Sequence, residues 1–181
     1  MNRIALIIVS VVVMTTHGRA QDDAAVTVNE SRGRYRVAAA FTVPQPASVA
    51  RATLTDYAEI PRFMPDVRRS EVLERADDRT VVEQEAVAKF MMFSKRVHLV
   101  LDVVDGGAAI RFKDRCGKSF EHYEGTWTFA ARDGRTLITY ELVAKPLFDV
   151  PDFLLKRLMK RDAVQMIERL KTEIAARAAQ K

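Results

Sequence analysis

Between residues 67 and 145 one short segment after another alternates apolar and polar residues, and only a few turn-forming residues separate each from the next. The segments run 67–76, 79–92, 95–104, 108–115 with 119–131, and 135–145. The breaks are Asp77-Asp78, Phe93-Ser94, "DGG", "CGK" and "RDGR", all suited to reversing a chain. Upstream, "AVTVNE" and "GRYRVAAAFTV" meet across Ser31, Arg32 and Gly33 and suggest an opening hairpin. Connections this short pair neighbouring strands antiparallel, because a parallel return needs a long crossover. Past Pro151 the period changes. Leu155, Met159, Ala163, Met166, Ile167, Leu170 and Ile174 recur at three and four, one apolar stripe on a long helix, with Pro151 and Asp152 at its entrance. An α+β domain results, a curved antiparallel sheet gripping one C-terminal helix.

Parity assigns the faces of that sheet. Tyr123, Gly125, Trp127 and Phe129 form one set, Ile138, Tyr140 and Leu142 another, and Phe90 and Met92 share a side with Ala86 and Ala88. Val97, Leu99, Leu101 and Val103 line a further strand. Small residues thus face large aromatics, which either interlock as core or leave a cavity for an apolar ligand.

Residues 54–67, "LTDYAEIPRFMPDV", set Leu54, Tyr57, Ile60 and Phe63 at helical spacing, yet Pro61 and Pro65 forbid a long helix. Before them, Pro46 and Ser48 suit the start of a short helix.

The first twenty residues read as a secretory leader. Arg3 precedes the apolar run Ile4 to Met14, and Gly18-Arg19-Ala20 offers small residues before a cut at Gln21. An uncleaved anchor is the alternative, disfavoured by the shortness of the run. The expectation is a periplasmic or secreted chain with one domain over residues 21–181. Cys116 is the only cysteine, so the domain has no internal disulfide and stands on packing. Most of the net charge of +5 gathers in residues 152–181, which carry eight basic and four acidic side chains. A nucleic-acid binder shows a wider basic surface with interleaved aromatics; an anionic membrane surface suits this distribution better.

No catalytic constellation is legible. His98 and His122, the histidines outside the leader, lack metal-ligand spacing, and Ser70, Ser94 and Ser119 lack a nucleophile-elbow context. No phosphate loop occurs, and neither metal nor cofactor is called for. Tyr123 and Tyr140 can donate hydrogen bonds inside a pocket. Glu85 or Asp56 can accept one, or else serve as solvent-facing or capping groups.

The strings "AAAFTVPQPASVARATLTDYAEIPRFMPDVRRSEVLE", "FSKRVHLVLDV", "YEGTWTF", "TLITYEL" and "VPDFLLKRLMKRDAVQMIERLKTEI" resemble the polyketide cyclase/dehydrase and coenzyme-Q-binding branch of the START-like (SRPBCC) superfamily. The resemblance spans about residues 35–177 and implies a helix-grip fold. In that fold a seven-stranded sheet wraps the C-terminal helix around a hydrophobic cavity, with two short helices after the first strand. It makes residues 54–67 the helix pair that closes one end of the sheet, and Tyr57, Phe63 and Met64 a wall or lid. Relatives that act with ubiquinone or on ribosomes work inside cells, so those partners do not transfer to an exported chain.

The expected ligand-binding residues are Tyr57, Phe63, Phe90, Met92, Tyr123, Trp127, Phe129, Tyr140, Met159, Met166, Ile167 and Leu170. Three functions fit: a carrier of a lipid, isoprenoid or polyketide-like molecule, a cyclase/dehydrase-type enzyme on an apolar substrate, or a protein-interaction module with a filled core. Apolar residues at 89–96 and at Leu154 and Leu158, followed by Lys156, Arg157, Lys160 and Arg161, suggest a cavity mouth that docks on anionic lipid. The sequence sets no oligomeric state.

Overall fold

The computed structural model describes residues 24–90 and 93–180, so the expected leader and its cleavage site lie outside the described residues. The chain runs β1 (Ala25–Ser31), β2 (Arg34–Val43), α1 (Ala47–Thr55), a 3-10 turn (Tyr57–Glu59), α2 (Ile60–Phe63), β3 (Val67–Arg75), β4 (Arg79–Phe90), β5 (Phe93–Asp105), β6 (Ala109–Asp114), β7 (Phe120–Arg132), β8 (Arg135–Pro146) and α3 (Asp152–Ala179). All strand pairs are antiparallel, in the order β1-β2-β8-β7-β6-β5-β4-β3.

The sheet has eight strands, not seven, because the opening hairpin adds β1 as an edge beyond β2. The short helices follow the second strand rather than the first, and Leu54 and Thr55 end the nine-residue α1. The kinked piece is the 3-10 turn with α2, whose first turn accommodates Pro61. Two reversals place both central residues in the left-handed region, Arg32 and Gly33 at φ 54° and 74°, Asp133 and Gly134 at 51° and 72°. Two-residue hairpins need that geometry to match the strand twist. Phe93 and Ser94, read as a turn, instead pair with Phe90 and Lys89 as the first residues of β5.

Parity places the core as expected. Val37, Phe41, Leu99, Trp127, Ile138, Tyr140 and Leu142 are buried on the face that receives α3. Ile167, Leu170 and Ile174 of α3 have no exposed surface. At the start of α3, Leu158 is buried with Leu155 and Tyr35, under Phe148 and Val150, so it is not the exposed apolar residue that the stripe left over. Tyr35 also donates a hydrogen bond to Asp152 Oδ1 at 2.5 Å, tying the first turn of α3 to β2. The backbone of α3 packs most closely on β1, β2 and α1, and touches α2. Its opposite flank meets β4 and the turn before β3 through side chains, Arg161 donating to the Lys89 carbonyl at 3.0 Å and Arg169 reaching Asp66 at 3.2 Å.

Candidate functional site

Between α3 and the inner face of β4–β8 lies a cavity of about 650 Å³, inside the usual ~300–1,000 Å³ range of small-molecule sites. A closed, filled core is therefore not what this sheet and helix enclose. Leu99, Leu101 and Leu142 form part of its floor, Ala86 and Ala88 leave room above β4, and Met159, Met166 and Leu170 supply the helix wall. Methionine suits a wall that adapts to the shape of a guest.

One side of the cavity is a continuous aromatic band. Trp127 packs on Tyr140 at 4.3 Å between ring centroids, Tyr140 stacks on Phe112 at 6.4 Å, and Phe112 meets Tyr123 at 6.0 Å. Tyr123 meets Phe120 at 4.8 Å, which abuts Phe148 at 6.1 Å. All six rings line the cavity. Gly125, paired with Phe112 across the β6–β7 ladder, makes this possible: a Cβ there would sit 2.4 Å from Phe112 Cζ and 2.4 Å from the Glu141 carbonyl oxygen. The small residue at 125 thus interlocks with a ring, and that ring in turn bounds the cavity.

Besides the Trp127 indole N–H, the polar groups within the band are the phenols of Tyr123 and Tyr140. Burial pushes Tyr123 up to about 12, partly opposed by a hydrogen bond with Tyr140. Burial also holds Tyr140 well above the ordinary phenol value, with the charge and hydrogen bond of Tyr123 adding to it. Either phenol can donate to the other, so the pair keeps one O–H free to donate to a guest. Both stay protonated at neutral pH. Glu85 is exposed, and Asp56 is bound to Arg177 at 2.9 Å, so neither supplies the acceptor that the sequence offered.

The end of the cavity is closed by Tyr57, Ile60, Phe63 and Met64, so the kinked segment does place its large side chains against the interior. Burial pushes Tyr57 up to about 12, with Asp105 adding to the shift and Arg75 opposing it. A charged clasp holds this closure to α3. Glu173, 5% exposed, binds Arg62 from α2 and also Arg177 at 2.7 Å, while Arg177 spans to Asp56. Burial raises the Glu173 carboxyl, but its two arginines outweigh burial and keep it below the usual carboxylate range.

Of the expected site residues, Tyr57, Phe63, Tyr123, Trp127, Tyr140, Met159, Met166 and Leu170 line the cavity. Phe129 packs on the core but not on the cavity, and Ile167 is fully buried beside it. Phe90 is placed by backbone pairing alone, and Met92 lies outside the described residues. Phe112, Phe120 and Phe148, absent from the expected set, complete the band. Exposed apolar surface near the start of α3 belongs to Leu147 and Phe153, 57% and 72% exposed. Among the described residues, no group of His, Cys, Asp and Glu is arranged to hold a metal ion.

The sequence profile of the family described as polyketide cyclase / dehydrase and lipid transport matches residues 43–171. No curated protein matches the sequence. Solved structures share the fold. A protein from Thermus thermophilus is 24% identical, with 78% of this chain and 97% of that one covered and a TM-score of 0.66. A STAR-related lipid transfer protein from Xanthomonas axonopodis is 16% identical over 85% and 99% of the two chains, with a TM-score of 0.65. The Zhui aromatase/cyclase from Streptomyces sp. R1128 is 17% identical over 80% and 96%, with a TM-score of 0.66.

Proposed function

The chain belongs to the polyketide cyclase / dehydrase and lipid transport family, and from that premise we propose that it is a periplasmic or secreted carrier of a hydrophobic small molecule. The cargo, a lipid, isoprenoid or polyketide-like molecule, sits in the cavity between the sheet and α3. The observation that carries the reading is the roughly 650 Å³ cavity, apolar over most of its wall and lined by the phenols Tyr123 and Tyr140. Such a lining rewards burial of apolar surface by ~25 cal/mol per Å² and orients a guest through one carbonyl or hydroxyl. The lipid transfer protein and the aromatase/cyclase among the similar structures mark the two uses to which this fold is put. The aromatic band gives the second use its support, since Tyr123 can hydrogen-bond a substrate carbonyl while the rings hold a reactive chain folded.

Location outside the cytoplasm rests on residues 1–20 as a leader, and intact mass of the protein from its host envelope tests the cut before Gln21. For loading and unloading we assign the anionic membrane surface. Leu147 and Phe153 provide exposed apolar contacts and Lys156, Arg157 and Lys160 follow them in sequence, as shallow docking on anionic lipid requires.

The test is native mass spectrometry of protein purified from its host envelope, with organic extraction of whatever it holds. A copurifying apolar molecule released on unfolding supports the carrier. Conversion of an offered apolar substrate, lost in Tyr123→Phe with folding intact, supports the enzyme. Protein that arrives empty and leaves Trp127 fluorescence unmoved by every long-chain lipid, quinone and polyaromatic probe defeats both.

A further inference from the structure

The wall of the cavity changes character on one side. Beneath the rings and along the helix it is apolar, but between α3, the end of β4 and the turn before β3 its lining residues are charged: Asp66, Lys89, Arg161, Asp162 and Arg169. All five side chains are between 36% and 60% exposed, so this part of the cavity wall meets solvent. The charges are not paired off evenly. Asp66 alone serves two cations, with Oδ1 3.6 Å from Lys89 Nζ and Oδ2 3.2 Å from Arg169 Nη1. Arg161 is held at 2.8 Å by Asp162 and anchors the Lys89 carbonyl. Burial raises the Asp162 carboxyl above its ordinary value, with Arg161 opposing the shift.

We propose that the cavity selects an amphiphile ending in a carboxylate, whose head takes the place of the Asp66 carboxylate between Lys89 and Arg169. The proposal rests on the reading of the cavity as an apolar binding site and adds the chemistry of the head. Asp66 acts as an internal stand-in. Its two oxygens already occupy the position where one carboxylate can meet an ammonium on one side and a guanidinium on the other, and the planar guanidinium is matched to that shape. Ion pairs this exposed are weak, so an incoming carboxylate whose tail is gaining burial in the cavity can displace Asp66 into water. An alcohol of the same chain length gains the same burial but cannot bridge the two cations. An alkylammonium meets three cations at the same place.

The test is a titration of the full-length protein at pH 7.5 and low salt, read by Trp127 fluorescence, with hexadecanoate and 1-hexadecanol. The expected result is at least tenfold tighter binding of the acid. The preference should shrink to within about twofold in the Lys89→Gln, Arg169→Gln double variant, grow in Asp66→Asn, and fall with added salt. Asp66→Asn moves the preference opposite to the double variant, so a general loss of folding cannot mimic the pattern. Equal affinity for acid and alcohol in the unmodified protein overturns the carboxylate assignment and leaves the cavity reading standing, as does an acid preference untouched by these substitutions. If neither molecule binds, the cavity reading falls and the head-group assignment falls with it.

Discussion

Replacing Gly125 with alanine adds one methyl group at a crowded point of the sheet. The added Cβ would lie 2.4 Å from Phe112 Cζ, 3.0 Å from Phe112 Cε2 and 2.4 Å from the Glu141 carbonyl oxygen, against ordinary carbon contacts of ~3.5–4.0 Å. Two neighbours must therefore yield by about 1 Å each. The Phe112 ring borders the cavity and has room to swing into it, and the Glu141 carbonyl moves with β8, which is paired along its length to β2 and β7. Overpacking of this kind costs ~1–3 kcal/mol, and the backbone contact puts Gly125→Ala at the upper end, ~2–3 kcal/mol. Urea unfolding followed by the single tryptophan, Trp127, measures it. Phe112→Ala alone should cost ~2 kcal/mol, less than a fully buried Phe→Ala because the ring borders open volume. The double variant should fall short of the sum by ~1 kcal/mol or more, since one of the two obstructions is gone. A Gly125→Ala protein within ~0.5 kcal/mol of the parent, or strict additivity in the cycle, would refute the interlock.

Ala88→Phe should narrow the cavity from the β4 side and weaken uptake of long-chain probes severalfold, while urea unfolding shows the protein still folded. Glu173→Gln should cost ~2 kcal/mol at pH 7, less than a fully enclosed ion pair because Arg62 and Arg177 can partly hydrate. Since the folded-state value of Glu173 lies below its unfolded one, its contribution is complete above about pH 4.3 and disappears as pH falls through the folded value. The parent should therefore lose stability more steeply than Glu173→Gln on acidification, as thermal melts across that window will reveal. Phe153→Ser with Leu147→Ser should reduce co-sedimentation with vesicles containing phosphatidylglycerol severalfold and leave ligand affinity unchanged. Equal sedimentation of both proteins, or indifference to anionic lipid, would remove the membrane step.

Period-two parity was enough to find Trp127, Tyr140, Leu99 and Leu101 on the inner face, because each lies in a long strand stretch whose register does not slip. It failed where register does slip. The β7–β8 ladder shifts between Phe120 and His122, so Phe120 and Tyr123, of opposite parity, come to line the same cavity. Phe129 has the parity of Trp127 but lies further along β7, opposite Ile138, where the space is core and no longer cavity. Leu158 sits off the helical stripe and is buried all the same, because Tyr35 of β2 and Phe148 of the preceding loop fold over the first turns of α3. No periodicity on α3 alone can report that. The rim charges Asp66, Lys89 and Arg169 come from three elements far apart in the chain, and their meeting is a product of the fold. The inherited strand count of seven missed β1, although residues 25–30 carry the alternation that forms it.

The strand order β1-β2-β8 sets the time at which this molecule can come into being. Tyr35 waits for Ala144 and Phe41 for Ile138, a join across roughly a hundred residues of chain whose closure entropy is met before any contact repays it. β3 to β7 can pair with their sequence neighbours as they are made. The first hairpin cannot be placed until β8 exists, and α3, which covers it, comes later still. Through that interval β2 offers one unpaired edge and an apolar face built from Val37, Ala39, Phe41 and Val43, a surface prone to pairing with other chains. Nascent protein is thus committed to its fold only once β8 and α3 have been made, and any chain stopped before residue 135 carries an adhesive strand with no partner.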